Sequence, residues 1–410
     1  MMGDVNLRRS GPPWRLIAVL TLAALVVASA VAVAVRLLNG TPDGRAAGTG
    51  TLVPAPSGAS AASAVSSPVP PSPSAPGLTA RQLAGQRVIY SYPGLTPPAG
   101  LLEHIRKGEA AGVIFFSDNV SSTTQLASVI NGLRQAQQQS PIRAPLLLMT
   151  DQEGGQVKRL PGQPVESAKQ VGLSADPAAA TTAGAGAAAT LAGVGMNVNL
   201  APVLDVYATA GNFIDQLQRS YSSNPRTVAT LGADFITAQQ NAGVAATAKH
   251  FPGLGSAAQG QNTDTGPVTV TSSLSRLRGT DEVPYSAAIA AGVKLVMLSW
   301  AVYPALDPSH PAGLSPTVVG SELRQRLQFR GVTITDALEA KALQGIGDTA
   351  RRAVLAAQAG MDLVLCSARD ASQGESATAA LAAALTGGQL EASAFQAAVD
   401  RVTALRTSLS

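Results

Sequence analysis

The feature that most constrains the fold of this chain is a repeating order of short apolar runs separated by helix-like stretches. The runs are almost continuously apolar rather than alternating, which is typical of strands in a parallel sheet that helices cover. Eight runs occur: RVIYSY (87–92), GVIFF (112–116), PLLLMTD (145–151), MNVNLAPVLDV (196–206), VAATAKHF (244–251), VKLVMLSW (293–300), GVTITDAL (331–338) and MDLVLCS (361–367).

The intervening stretches are rich in alanine and have helical character. Examples are DPAAATTAGAGAAATLAG, PRTVATLGADFITAQQNAG and DTARRAVLAAQAG, each of which ends in the glycine that often follows a helix. Eight strand–helix units predict an α/β fold of the (β/α)8 TIM-like barrel type. A doubly wound open sheet stays an alternative, because sequence periodicity does not show whether a sheet closes.

The N-terminal part has a different character. Residues 16–35 carry no charge, and about 20 such residues suffice to cross a bilayer as a helix. Arginines 8, 9 and 15 precede the apolar stretch and only Arg36 closes it, so the positive-inside rule places residues 1–15 in the cytoplasm. We predict a transmembrane signal-anchor at 16–38 in a bacterial cell membrane, with the remainder extracytoplasmic. A cleavable signal peptide, which would give a secreted protein, is the alternative.

A segment rich in Pro, Ser and Ala follows at 39–77, and it has too few large apolar side chains to form a core. We predict a disordered linker there and a barrel domain at 78–410. The formal net charge is only +4, and most of it lies in the N-terminal segment. A nucleic-acid partner is therefore not expected, since such partners require a basic surface. We expect a monomer.

Ionisable residues occur where several of the predicted strands end. Asp151 follows the third run, Asp205 the fourth, Lys249 and His250 end the fifth, and Asp336 ends the seventh. Active sites of α/β barrels lie at this end of the strands, so these side chains are predicted to converge. Structural roles stay open as alternatives: Asp205 as the cap or brace of a loop, Lys249 as a member of an ion pair, and His250 as a core histidine.

Several longer motifs support a more specific interpretation. They are TDQEGGQVKRL (150–160), NVNLAPVLDV, RSYSSNP from Arg219, KHFPG, VMLSWAVYPALD and LRQRLQFRGVTITDALEAKAL. Together they resemble the N-terminal barrel of glycoside hydrolase family 3, and most of all the single-domain β-N-acetylhexosaminidases that act on cell-wall sugars. The resemblance runs in family order from about residue 78 to the C-terminus.

The resemblance implies that Asp336 is the nucleophile of a retaining glycosidase. It also implies that Asp151, Arg219, Lys249 and His250 bind the sugar hydroxyls and orient the N-acetyl sugar. We place Asp205 and Trp300 in the same substrate-binding set. Trp300 is expected either to stack on a sugar ring or to form a wall of the barrel mouth.

The stretch KHFPGLGSAAQGQNTD (249–264) departs from the family pattern. The resemblance implies a proton-donating His–Asp pair in this loop, but Asn262 occupies the position of the histidine and Gly260 that of the aspartate. Leu254 occupies the position of an earlier loop histidine of the family pattern. Asp264, two positions further on, is the candidate acid/base. His310, after the sixth run, is a second candidate.

Two functions follow. The first is a membrane-anchored exo-glycosidase that removes terminal β-linked N-acetylglucosamine from peptidoglycan-type glycans, with β-glucosidase specificity as a variant and phosphate as an alternative acceptor to water. The second is a catalytically silent glycan-binding protein. No cofactor and no metal site is expected, because the three histidines are far apart in sequence and no HExxH motif occurs.

Overall fold

The structure is a computed structural model, and it describes residues 77–174 and 176–409. The predicted cytoplasmic tail, the signal-anchor and all but the last residue of the predicted linker lie outside the described residues. Within residues 77–174 and 176–409, no helix is both long and apolar enough to cross a membrane.

Eight parallel strands close into a barrel. We number them β1 (Val88–Tyr90), β2 (Gly112–Ile114), β3 (Leu147–Thr150), β4 (Val198–Asn199), β5 (Ala245–Phe251), β6 (Leu295–Leu298), β7 (Val332–Ala337) and β8 (Leu363–Leu365). Each strand pairs with its neighbours in sequence, and β1 pairs with β8 to close the sheet. All eight predicted strands are confirmed, and the closed barrel excludes the open-sheet alternative.

Helices lie outside the strands. The α-helices are Ala80–Gly85, Ala99–Lys107, Thr123–Gln138, Ala168–Ser174, Pro177–Ala192, Phe213–Gln216, Pro225–Asn241, Leu274–Arg276, Val283–Ala290, Thr349–Gln358, Ala371–Thr386 and Ala392–Ser408. Wider π-helical turns span Leu277–Asp281 and Thr317–Arg326, and short 3₁₀ turns span Ser117–Asn119, Ala312–Leu314 and Lys341–Leu343.

Two small antiparallel pairs of strands lie in the loops at the carboxyl ends of the barrel strands. Gln152–Gly154 pairs with Val157–Lys158 after β3, and Val302–Tyr303 pairs with Asp307–Pro311 after β6.

The helices begin where the sequence provides caps. Asp176 and Asn224 accept hydrogen bonds from the backbone two residues on, and each is followed by a proline at the first helical position. Asp348 caps Thr349–Gln358, where its side chain accepts from the backbone N–H of Arg351, three residues on. The three alanine-rich stretches singled out in the sequence are therefore helices, as predicted.

Both faces of each strand are buried, which explains the continuous apolar runs. In β3, Leu147 and Met149 belong to a cluster to which all eight strands contribute, and this cluster fills the barrel interior. Leu148, between them, belongs to the larger layer that packs under the helices. A strand buried on both faces has no need of polar residues at alternate positions.

Candidate active site

A cavity of about 590 Å³ opens at the carboxyl ends of the barrel strands. It collects most of the side chains that the sequence nominated from separate strands. The predicted site residues that line it are Asp151, Arg219, Lys249, His250, Asp264 and Asp336. Asp205, Trp300 and His310 are not among its lining residues.

Lys249 forms the centre of a buried ion-pair network on one side of the cavity. Its Nζ atom lies 2.7 Å from Oδ1 of Asp151 and 2.7 Å from Oε1 of Glu153. Arg219 donates to Glu153 through Nε at 2.9 Å and Nη2 at 2.8 Å. Two cations and two carboxylates thus satisfy one another in a site from which water is largely excluded.

The network fixes the charges of its members. Burial by itself raises the pKa of the Glu153 carboxyl, but Arg219 and Lys249 outweigh it and hold that pKa well below its usual range. Burial lowers the pKa of the Lys249 ammonium, but Asp151 and Glu153 raise it above its ordinary value. All of these groups are therefore ionised at neutral pH. Glu153 was missed in the sequence, although it is the second carboxylate of the DQEGG motif.

Asp205 is completely buried behind His250. Its Oδ2 atom lies 2.8 Å from Nδ1 of the imidazole, and its Oδ1 atom accepts from the backbone N–H of Leu254 at 2.7 Å. The carboxylate therefore orients the histidine and braces the loop that follows β5. This position corrects the placement of Asp205 in the substrate-binding set, because its side chain does not reach the cavity.

Asp336 ends β7 and faces the cavity. The backbone N–H of Ala337 donates to its Oδ1 atom at 2.7 Å. Burial raises the pKa of the Asp336 carboxyl, His250 opposes that rise, and the charge of Asp264 adds to it. Asp336 and Asp264 both line this cavity.

The loop that carries Asp264 is docked against the segment after β7. The carbonyl of Thr263 accepts from the backbone N–H of Ala342 at 2.9 Å, and the carbonyl of Asp264 accepts from that of Lys341 at 3.4 Å. Thr263 is buried, whereas the Asp264 side chain is exposed at the cavity mouth. These backbone hydrogen bonds hold the segment that carries Asp264 against the segment that follows β7.

Trp300 is buried in the wall of the barrel mouth. It is 1% exposed, its indole N–H donates to the carbonyl of Ala337 at 2.8 Å, and its ring packs on Gly313. Of the two expectations for Trp300, this position favours the wall of the barrel mouth over a sugar-stacking face.

His310 lies in the antiparallel pair after β6, with a side chain that is 55% exposed and paired with Asp307 at 3.1 Å. Because it does not line the cavity, its position does not support a role as proton donor.

The cavity also contains charged groups that the sequence analysis did not single out. Glu339 accepts from the hydroxyl of Ser367 at 2.7 Å, and Arg369 lies over the ring of Phe116, 4.8 Å from its centre. Arg159 lies 3.6 Å from Asp151. Glu339 and Arg369 come one and two residues after the seventh and eighth apolar runs, so the strand-end position could have identified them. Arg159 lies eight residues after the third run, where that rule does not apply.

Among the residues that the structure describes, no group of three or more His, Cys, Asp or Glu side chains is arranged to hold a metal ion. The site consists of carboxylates, one oriented imidazole and buried cations. This set is suited to binding a polyhydroxylated ligand and to acid–base or nucleophilic chemistry on it.

Comparison with known proteins agrees with the fold and the site. Residues 86–405 match the model of the glycosyl hydrolase family 3 N-terminal domain. The chain therefore belongs to this family and is a glycoside hydrolase by membership, as the motifs predicted.

Relatives of known sequence differ in how much of their length the chain spans. An uncharacterized secreted glycosyl hydrolase from Arthroderma benhamiae is 47% identical over 330 residues, which cover 80% of this chain and 93% of that protein. Beta-hexosaminidase A from Pseudoalteromonas piscicida is 30% identical over 77% of this chain, but the chain spans only 56% of that relative.

Solved structures show the same fold. A family 3 beta-N-acetylglucosaminidase from a Paenibacillus species superimposes with a TM-score of 0.76 at 33% identity, covering 81% of this chain and 63% of that one. A beta-N-acetylhexosaminidase from Beutenbergia cavernae superimposes with a TM-score of 0.72 at 32% identity, covering 80% of this chain and 99% of that one.

Proposed function

We propose that this protein is a retaining exo-glycosidase that removes terminal β-linked N-acetylglucosamine, with Asp336 as nucleophile and Asp264 as acid/base. The observation that carries the proposal is that the carboxyl groups of Asp336 and Asp264 line the same cavity. Retaining glycosidases require two such groups, one to attack and one to protonate.

In the proposed reaction Asp336 attacks the anomeric carbon while Asp264 protonates the departing glycosidic oxygen. A water molecule, deprotonated by Asp264, then attacks the anomeric carbon of the covalent glycosyl-enzyme and releases Asp336. Asp264 thereby regains a proton in place of the one it gave to the leaving group. An exposed carboxylate at the cavity mouth is suited to this exchange, because the leaving group and the incoming water use the same entrance.

The Lys249 network supplies the substrate-binding groups. An ammonium has three N–H donors, and two of those of Lys249 are used by Asp151 and Glu153. Arg219 likewise uses Nε and Nη2 on Glu153 and keeps Nη1 for another partner. These donors, with the acceptor oxygens of Asp151, are suited to hold sugar hydroxyls and the acetamido carbonyl.

N-acetylglucosamine is the proposed sugar because relatives at about one-third identity carry β-N-acetylglucosaminidase or hexosaminidase in their names. We propose an extracytoplasmic location, either at a membrane through the N-terminal residues or by secretion. The 47% identical relative, which is described as secreted, supports this location. Peptidoglycan-type glycans are then the proposed substrates, and the protein is proposed to act as a monomer.

A second candidate function is glycan binding without turnover. It is favoured by Gly260 and Asn262, which occupy positions where the family pattern has a proton-donating pair and which carry no titratable group.

The test uses the purified full chain and aryl N-acetyl-β-glucosaminides with leaving groups of graded acidity, with the matching β-glucosides to test the sugar. We expect Asp336→Asn to abolish turnover. Asp264→Ala is expected to slow poor leaving groups by about 10² to 10⁴ and to leave activated ones nearly unchanged. Asp400→Asn, on an exposed helix face, is the matched control.

If the unaltered chain shows no turnover on any of these glycosides but binds N-acetylglucosamine in calorimetry, the second function replaces the first. If turnover survives Asp336→Asn, the nucleophile assignment is wrong.

A further inference from the structure

A second cavity, of about 460 Å³, lies at the opposite end of the barrel from the candidate active site. Arg87 directly precedes β1, Met361 lies two residues before β8, and both line the cavity, so it lies where these strands begin. Its wall combines the guanidinium groups of Arg87, Arg324 and Arg401 with apolar side chains that include Val319, Leu390 and Phe395.

The fully buried carboxylate beside this cavity is already saturated. Asp362 accepts from Arg324 Nη2 at 2.5 Å and from Arg401 Nε and Nη2 at 3.0 and 2.8 Å. It also accepts from the backbone N–H of Thr333 at 2.8 Å. One carboxylate thus accepts hydrogen bonds from two guanidinium groups, and it accepts none from Arg87.

Arg87 has no carboxylate partner among the described residues. It is 2% exposed, and it donates through Nε and Nη2 only to the backbone carbonyls of Asp362 and Met361, at 3.1 and 2.5 Å. Its Nη1 atom makes no hydrogen bond to any residue in the described part of the chain. Its guanidinium also lies over the ring of Phe395, 4.2 Å from the centre.

The charge on Arg87 persists in spite of this burial. Burial lowers the pKa of its guanidinium to about 10, and the carboxylate of Asp362 works against that decrease, so the group is protonated at neutral pH. A buried cation without an opposite charge is costly, and such groups in proteins are usually compensated.

Glu391 also lines the cavity but does not compensate Arg87. Its carboxylate caps the helix Ala392–Ser408, where it accepts from the backbone N–H groups of Ser393 and Ala394 at 2.8 and 2.6 Å. The three guanidinium groups and the two carboxylates, those of Asp362 and Glu391, together leave one positive charge beside the cavity.

We propose that this cavity is a binding site for a small oxyanion, a phosphate or a carboxylate, held by the free Nη1 atoms of Arg87 and Arg401. Each Nη1 atom carries N–H donors, so the two arginines are suited to donate charge-assisted hydrogen bonds to different oxygens of one such group. The apolar wall around Phe395 accommodates an apolar portion of the ligand. The site is separate from the catalytic cavity and does not depend on the proposed glycosidase activity.

Calorimetric titration of the full chain with inorganic phosphate, at constant ionic strength, tests the proposal. Ala394 is exposed and lines the cavity, so Ala394→Trp fills the space without altering an arginine. Ala404 is exposed on the same helix outside the cavity, and Ala404→Trp is the matched control. We expect saturable binding that Ala394→Trp abolishes and Ala404→Trp preserves.

Arg87→Met removes a charge-assisted hydrogen bond and is expected to weaken phosphate binding about tenfold or more. The thermal unfolding midpoint of each variant without phosphate checks that it is folded. A parallel titration with propionate shows whether the carboxylate with an apolar tail binds better than phosphate. Absence of saturable binding of both anions, or binding that Ala394→Trp leaves intact, would overturn the proposal.

Discussion

The Nδ1 atom of His250 lies 2.8 Å from Oδ2 of the fully buried Asp205, although the two residues are 45 positions apart in the chain. The same carboxylate accepts from the backbone N–H of Leu254. One buried aspartate therefore determines both the orientation of a cavity-lining imidazole and the start of the loop that leads to Asp264.

This relationship predicts that Asp205→Asn lowers activity without removing any group from the cavity. An amide in place of the carboxylate no longer fixes the tautomer and orientation of the imidazole, so we expect activity to fall by about tenfold or more. The decrease is expected mainly in kcat on aryl glycosides. Asp215→Asn, a buried aspartate paired with Lys169 outside the cavity, is the comparison. An unaltered kcat in Asp205→Asn would show that the orientation of His250 is immaterial.

The Lys249 network predicts a large effect on stability. Lys249→Met leaves Asp151 and Glu153 buried without their shared cation, and breaking a buried pair typically costs about 3–5 kcal/mol. The free energy of unfolding, measured with denaturant, should fall by that amount. Lys107→Met, on an exposed helix face, should change it by less than about 0.5 kcal/mol. Equal effects of the two variants would contradict the network.

The burial of Asp336 predicts a shift in pH dependence. The nucleophile must be ionised, and burial is the largest cause that raises its pKa above that of an ordinary aspartate. The acidic limb of kcat/KM should therefore lie above the pH at which an ordinary aspartate titrates. Activated aryl glycosides make the measurement feasible, and Asp400→Asn, on an exposed helix face, should leave the limb in place. An acidic limb at the pH of an ordinary aspartate would contradict the assignment of the buried Asp336 as nucleophile.

The burial of the Asp281 carboxyl group predicts that the stability of the protein depends on pH. It is fully buried, and neither carboxylate oxygen has a hydrogen bond within the described residues. Burial raises its pKa to about 7, with Arg276 opposing and Asp205 adding to the rise. The folded state therefore holds a proton that the unfolded state releases near pH 4. Stability falls as pH rises from about 4 to 7, by at most about 1.4 kcal/mol per pH unit.

Asp281→Asn removes this titration, so the variant should unfold at a higher temperature than the unaltered chain at pH 8 and should lose that advantage at pH 4. Thermal unfolding at both values gives the comparison, with Asp400→Asn as an exposed control. An advantage that is the same at both pH values would show that Asp281 does not titrate in this range.

The loop after β5 contains two glycines with opposite expected responses to alanine. A Cβ atom at Gly255 would lie 2.1 Å from the carbonyl oxygen of Val206, whereas one at Gly266 would have no atom within 4 Å. Gly255→Ala should destabilise the protein by about 1–3 kcal/mol and displace the loop that carries Asp264. Gly266→Ala should be neutral or slightly stabilising. Denaturant unfolding and kcat on a poor leaving group report the two effects, and a neutral Gly255→Ala would contradict the packing.

Much of the fold was predictable because the burial of a strand on both faces leaves a continuous apolar run in the sequence. Closure of the sheet was not predictable from the sequence, because it depends on the pairing of β1 with β8, which are separated by most of the domain. The strand-end rule correctly brought together Asp151, Lys249, His250 and Asp336, because parallel strands end at one side of a barrel.

What the sequence by itself determined is the alternation of eight strands with helices, the family, and the identity of the residues at the strand ends. The tertiary structure alone decided which of them reach the cavity: Asp205 lies behind His250, Trp300 is buried in a wall, and Glu153 joins Lys249 and Arg219. The physical reason is that periodicity records local burial, whereas ion pairs and orienting hydrogen bonds depend on distances between segments that only the folded barrel brings together.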